Sequence, residues 1–259
     1  MKNLSLRTVT VMRYILPLRE GGSLPALAEA DDDFKYVIKV RGAGHGVKML
    51  ISELLGGMIA SKLELQIPEL VFANLDVDFG RMEADEEIQD LLKFSEGLNL
   101  GLHFLSGAIA YDSSIKIDAV LASKIVWLDA FITNIDRTFK NTNLMMWHKE
   151  LWVIDNGASF YFHHSWQNFD AAAKTPFKYV KDHVLLSQAT QLREADLFAK
   201  EHLNDEFFRN LVDLIPDEWL QWNDTDETPD EIRQVYFQFM KTRLANSEIF
   251  LKEAENARR

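Results

Sequence analysis

The chain has 259 residues, 47% of them hydrophobic, enough to bury a full core as one large domain or two lobes. It contains no cysteine, which excludes a disulfide framework, thiolate catalysis and a cysteine-ligated zinc site. A formal charge of −12 disfavours nucleic acid or an anionic membrane as a bulk electrostatic partner, and no stretch of 18 apolar residues runs uninterrupted, so no membrane span is expected.

The opening MKNLSLRTVTVMRYI alternates polar and apolar residues and lacks the apolar run of a secretory signal, so a cytoplasmic location is the expectation. Residues 7–15 read as a half-buried strand, with Val9 and Val11 on one side and Thr8, Thr10, Met12 and Tyr14 on the other. A connector containing Gly21, Gly22 and Ser23 follows, then a second strand at 25–29, a turn at Asp31-Asp32-Asp33, and a third strand at 34–40. Lys39 stands among apolar residues in that strand. It either faces solvent or requires an anionic partner. If its ammonium serves a ligand rather than the core, replacing it should cost little stability.

Residues 41–46 hold three glycines and read as a flexible link. A helix is predicted over 47–65, where Leu50, Leu54, Met58 and Ile59 recur at helical spacing and Ile51 and Leu55 widen the stripe. Glu53 lies off that stripe and is followed by Gly56 and Gly57, small residues that would let this face approach the sheet and bring Glu53 towards Lys39. A strand is expected at 68–75, an acidic amphipathic helix at 83–94, and a strand at 101–108 that enters a Gly-containing connector. His103 in that strand reads as a hydrogen-bonded core residue. Residues 118–134 form the clearest helix: Leu121, Ile125, Leu128 and Ile132 bury one face and give the following loop a rigid base.

That loop opens the stretch NIDRTFKNTNLMMWHKELWVIDNG. Residues 143–146 and 151–154 are apolar runs of strand character, joined by His148-Lys149-Glu150 as the turn. A hairpin brings its ends together, so Asn141 before it and Asp155 after it should sit side by side, with Asp136 on the entering loop close to both. Two of these three oxygen-bearing side chains can hold Mg²⁺ and the third can accept a proton, an arrangement suited to phosphoryl transfer. The competing reading makes both aspartates simple turn residues. Farther on, Tyr161-Phe162-His163-His164 reads as a substrate-facing loop or a surface turn; no HExxH or third spaced ligand accompanies the histidines, so zinc is not expected. Helices are predicted at 187–203 and 205–215. A last one opens with the capping box Thr228-Pro229-Asp230-Glu231 and runs to the C-terminus.

The order of these motifs resembles the HipA-like serine/threonine kinases, and it is also similar to the phosphatidylinositol kinases with their Asp-Arg-His pattern. Asp136 followed five residues later by Asn141 looks like the kinase catalytic loop, and Ile154-Asp155-Asn156-Gly157 like the metal-binding segment. Thr138 departs from the usual His, and Asn156 stands where protein kinases carry Phe, which puts a Phe-flip mode of regulation in doubt. The resemblance implies an α+β, two-lobed protein-kinase-like fold. Its N-lobe would span residues 1–105, a mostly antiparallel sheet with one helix, and its largely helical C-lobe residues 106–259. It implies ATP and Mg²⁺ as cofactors. Lys39 would hold the α/β-phosphates, set by Glu53, and Gly21, Gly22 and Ser23 would close over them. Asn141 and Asp155 would be the metal ligands, and Asp136 would orient or deprotonate the acceptor. Residues 101–108 or, competing with them, 72–75 would be the hinge that binds adenine, and 158–166 the activation-segment equivalent. The acceptor implied is Ser/Thr of a protein. A small metabolite or lipid head group on the same fold is an alternative, as is a catalytically silent nucleotide-binding module. The complete set of Lys39, Asp136 and Asp155 argues against the silent module. The Asn141 spacing argues against a hydrolase using Asp136 and Asp155 as paired carboxylates.

Overall fold

The alternation read in residues 7–15 does build a strand. In the computed structural model, which describes residues 4–18, 25–43, 46–76, 79, 85–222 and 225–258, β1 spans Thr8–Pro17, β2 Ala26–Ala30 and β3 Lys35–Lys39. Two more strands, β4 (Leu70–Leu75) and β5 (Gly97–His103), complete a ring with the pairing order β1-β2-β3-β5-β4. Its pairs are antiparallel except β1 with β4, which runs parallel. Inward side chains Val9, Val11, Ala28, Tyr36, Ile38, Val71 and Ala73 gather in a core of their own.

The strand expected at 101–108 begins and ends earlier. Residues 97–102 pair with β4, and 100–103 with β3, so Gly97 onwards is sheet. The strand ends once the Phe104 N–H bonds Lys35 O, and 105–108 leave the sheet as a connector. His103 is half-buried, its ring packed edge-on against Phe34 and Tyr36.

Eight helices are present among the described residues. The first, α1 (Gly46–Lys62), buries eleven residues, among them Ser52 and Glu53, so more than the predicted stripe is covered. Next, α2 (Glu86–Lys93) starts where the Asp85 carboxylate accepts the Glu87 N–H. Then α3 (Ala119–Ile132) is capped by Asp118, which accepts from the Val120 and Leu121 N–H groups. One buried face was the expectation, but ten α3 residues are buried, because the helix is apolar nearly all round and lies at the centre of the larger core. That core also takes in α1, Leu100 of β5, and the helices that follow.

A second sheet holds β6 (Ile109–Ala110), β7 (Leu144–Trp147) and β8 (Glu150–Val153). The hairpin turn is tighter than predicted: Glu150 pairs with Trp147, leaving His148 (φ 48°) and Lys149 (φ 69°) as the two turn residues. Both lie in the left-handed region, as a two-residue turn between twisted strands requires.

The remaining helices are α4 (Phe169–Ala173), α5 (Leu192–His202), α6 (Asp205–Val212), α7 (Pro229–Ala245) and α8 (Ser247–Arg258). Two predicted helices are interrupted. The one expected at 187–203 starts only at Leu192, because the chain before it is held in tertiary bonds: Gln188 Oε1 accepts the Ile117 N–H, and the Gln191 N–H donates to Ser123 Oγ. The last breaks at Asn246, whose N–H caps Thr242, Arg243 and Leu244 carbonyls. The bend lets α8 bring Phe250 against Trp127 and Phe131 of α3. The expected capping box at Thr228 and Glu231 is formed. Among the described residues no helix is long and apolar enough to cross a membrane.

Candidate active site

Strand alternation decides where Lys39 points. Ile38 faces the ring core, so Lys39 and its cross-strand neighbour Leu100 share the opposite face, which α1 covers. Lys39 is 4% exposed and Glu53 1%, and Lys39 Nζ donates to Glu53 Oε2 at 2.8 Å. The same ammonium donates to Asp155 Oδ1 at 2.6 Å. Lys39 is therefore not on a solvated strand face. Nor is its ammonium independent of the core, because removing it would strand the buried Glu53 carboxylate; the expectation of little stability cost does not hold. Burial pushes the lysine pKa down, but Asp155 and Glu53 outweigh it and hold the ammonium protonated. For Glu53 burial wins: its carboxyl is lifted above the usual range, although Lys39 draws it back. For Asp155 burial also pushes up, yet Lys39 beside it prevails and holds the carboxyl below the usual range.

The glycines after Glu53 act in two directions. A Cβ on Gly57 would come within 2.7 Å of Leu70 on β4, while one on Gly56 would come within 2.7 Å of the Asn156 side chain. The close approach at Gly56 is thus to the segment after Asp155, not to the sheet. It lets the Asn156 N–H reach Glu53 Oε2 at 2.8 Å.

A second group stands on the loop after α3. Asp136 Oδ2 accepts from Asn141 Nδ2 at 2.7 Å and from Asn143 Nδ2 at 3.2 Å. The Asp136 N–H in turn donates to Asn134 Oδ1 at 3.1 Å. The hairpin closes as expected, since the Ile154 N–H donates to Asn143 O at 3.1 Å, which sets the residue before Asp155 beside Asn143. Thr133, Asn143, Asp155 and Phe160 all take positive φ values, between 47° and 59°. Left-handed backbone at non-glycine positions is costly and concentrates at functional sites.

Arg137 joins the two groups. Fully buried, it donates from Nε to Asp129 Oδ2 at 2.6 Å, from Nη1 to Ile154 O at 2.9 Å and to Asn143 O, and from Nη2 to Asn156 Oδ1 at 3.0 Å. One guanidinium thus ties α3, the Asp136 loop and the Asp155 segment together. Asp129 also faces His183 Nε2 at 2.8 Å. Because His183 Nδ1 accepts the Leu185 N–H, the ring carries its proton on Nε2, towards that carboxylate. Burial pushes Asp129 up, but Arg137 and His183 outweigh it and hold it below the ordinary range. Sequence reading did not single out Arg137, Asp129, Asn134, Asn143 or His183. Asp129 carried a signal: a carboxylate in an otherwise apolar helix must have a buried partner.

The oxygens present suit a hard divalent cation. Asn141 uses its amide N–H on Asp136, which leaves its carbonyl oxygen. Asp155 uses Oδ1 on Lys39 and on the Gly157 N–H at 3.3 Å, which leaves Oδ2. Two protein oxygens of this kind are what Mg²⁺ takes when it completes its shell with phosphate and water. Gly21, Gly22 and Ser23, expected to cover phosphates, lie outside the described residues.

The chain shares its fold with a kinase. The crystal structure of a Helicobacter pylori proinflammatory kinase, CtkA, superimposes with a TM-score of 0.56 at 12% identity, covering 97% of this chain and 98% of that one. Among curated proteins no sequence matches significantly. A family model described as HipA-like kinase matches residues 11–250, so the chain belongs to the HipA-like kinase family. By family it is a kinase-type phosphotransferase.

Proposed function

We propose that the protein moves the γ-phosphate of ATP to the hydroxyl of a serine or threonine in a protein. The observation that carries this reading is Lys39, buried and held at 2.8 Å from Glu53 and 2.6 Å from Asp155. A lysine fixed between a helix glutamate and a metal-binding aspartate is the device that grips nucleotide phosphates in kinases. On this reading residues 1–105 form the nucleotide-binding lobe and 106–259 the catalytic lobe, with 101–108 as the hinge.

Asn141 and Asp155 would hold Mg²⁺, which when bound neutralises charge on the phosphates. Lys39 would hold the α/β-phosphates, a task the connector containing Gly21, Gly22 and Ser23 would share. Asp136, oriented by the Asn141 and Asn143 amides, keeps its second oxygen for the acceptor hydroxyl. In the transfer the acceptor oxygen bonds to the γ-phosphorus as the bond from that phosphorus to the β–γ bridging oxygen breaks. ADP departs and the hydroxyl proton passes to Asp136. Asn156 makes hydrogen bonds where protein kinases have Phe, so a Phe-flip mode of regulation has no counterpart in this reading.

A hydrolase built on Asp136 and Asp155 would need both carboxylates directed at one substrate. The ion pair of Asp155 with Lys39 supports the kinase reading instead. Calorimetry with ATP, with and without Mg²⁺, tests the proposal. Mg²⁺-dependent binding is expected, and no binding at millimolar nucleotide in either condition overturns it.

A further inference from the structure

A cavity of about 280 Å³ lies beside the Asp136 loop. Its walls include Thr133 and Ile135, directly before Asp136; Tyr161, after the Asp155 segment; Phe177 and Tyr179, on the stretch leading to His183; and Phe239 of α7. These walls are fixed to the loop that carries Asp136. The Tyr161 N–H donates to Thr133 Oγ1 at 3.3 Å, and the Val184 N–H to Arg137 O at 3.2 Å. Thr138 pairs with His183 as an isolated bridge. Arg243, wholly buried, braces the cavity from beneath: it donates to Ala130 and Phe131 carbonyls at the end of α3, and to Ala172, Ala173 and Thr175 carbonyls on the opposite wall.

The lining is mainly apolar and aromatic, with Thr133 and Thr175 among it and Lys178 its one charged residue. Phe139, on the Asp136 loop itself, is 62% exposed, and Tyr161 and Tyr179 stand 55% and 60% exposed at the cavity. In a chain of net charge −12, exposed Lys140, Lys178 and Lys181 have no ion pair among the described residues; Asp182 is the one unpaired carboxylate on that stretch. The volume falls just below the roughly 300–1,000 Å³ of small-molecule pockets and suits one large side chain. The threonine hydroxyls of the lining are already spent on main-chain carbonyls, Thr133 Oγ1 on Ile132 and Thr175 Oγ1 on Ala172, and the mostly apolar remainder suits an apolar side chain better than a ring of hydroxyls. The overall negative charge disfavours an anionic bilayer.

We propose that the acceptor is a polypeptide segment that seats one bulky apolar side chain in this cavity, next to its phosphorylated hydroxyl, with acidic residues beside it over Lys140, Lys178 and Lys181. This rests on the kinase reading of Asp136 and names its substrate class.

The test is a positional-scanning peptide library with a fixed central Ser or Thr and γ-labelled ATP. At one position Phe, Leu or Ile should raise incorporation roughly tenfold or more over Ala, the scale of discrimination by an apolar pocket. Ala172→Leu, which fills the cavity, and Tyr179→Ala, which opens it, should each abolish that preference, and Lys178→Glu should reverse the preference for acidic neighbours. ATP affinity of each variant by calorimetry reports that it is folded. Equal use of Ala and Phe at every position, or a preference unchanged by both cavity variants, overturns the inference. So does label in phosphatidylinositol vesicles or small metabolites without label in peptides, an outcome that leaves the kinase reading standing. Loss of ATP binding in the wild type removes both.

Discussion

Replacing Lys39 with Met keeps the length of the side chain and removes the ammonium from between two carboxylates. Asp155, with 40% of its side chain exposed, can turn to water. Glu53, 1% exposed, cannot, and keeps only the Asn156 N–H. Stranding one member of a buried pair costs roughly 3–5 kcal/mol, and since Glu53 can protonate, about 3 kcal/mol is expected near neutral pH. For a chain of this size that is roughly 6–12 °C in Tm. The pH dependence has a definite sign. Burial already lifts the Glu53 carboxyl above its ordinary value, and losing Lys39 lifts it further. A carboxyl raised in the folded state stabilises the fold when protonated, and that contribution is lost as pH rises through its folded value. The gap between variant and wild type should therefore be smallest near about pH 5 and widen towards about pH 8. Urea unfolding followed by tryptophan fluorescence at both pH values measures it. Adding Glu53→Gln to the variant should recover much of the loss and flatten the pH dependence. A gap below about 1 kcal/mol, equal at both pH values, would refute the reasoning, since it would mean the carboxylates do not depend on the ammonium.

Asp136→Asn should leave ATP affinity within a few-fold while slowing transfer by roughly 10²-fold or more, whereas Asp155→Asn should weaken Mg²⁺–ATP binding itself; titration and single-turnover kinetics separate them. Equal loss of binding in both would make Asp136 a metal ligand. Gly56→Ala places a Cβ 2.7 Å from Asn156 and should cost about 1–3 kcal/mol through overpacking, measured by denaturant unfolding. His163 is pushed well below its ordinary pKa by burial, with His164 and Lys48 adding to the effect. Its contribution to stability is complete above about pH 6.5 and falls as pH drops below that; thermal melts of His163→Gln should show a flatter acid limb.

The alternation of β1, the capping box at Thr228 and the hairpin were legible because each depends on neighbours in sequence. So was the approach of Asn143 to Ile154, which follows from hairpin closure alone. Pairing of Lys39 with Glu53 was suggested by small residues on α1, but Gly56 proved to face Asn156, a contact 100 residues away in the chain. Helix breaks at 189–191 and Asn246 escaped sequence reading because tertiary hydrogen bonds to Ser123 and the packing of Phe250 on α3 set them. The Arg137 clamp was hidden for a related reason. Its four partners, Asp129, Asn143, Ile154 and Asn156, come from three separate segments and carry no shared spacing.

Transfer of label from γ-labelled ATP to the proteins of a soluble extract, with wild type and Asp136→Asn side by side, tests the central claim most directly. The account predicts acid-stable label on serine or threonine with the wild type, and roughly a hundredfold less or lower with the variant. Label released only as free phosphate, at the same rate by both proteins, would contradict it.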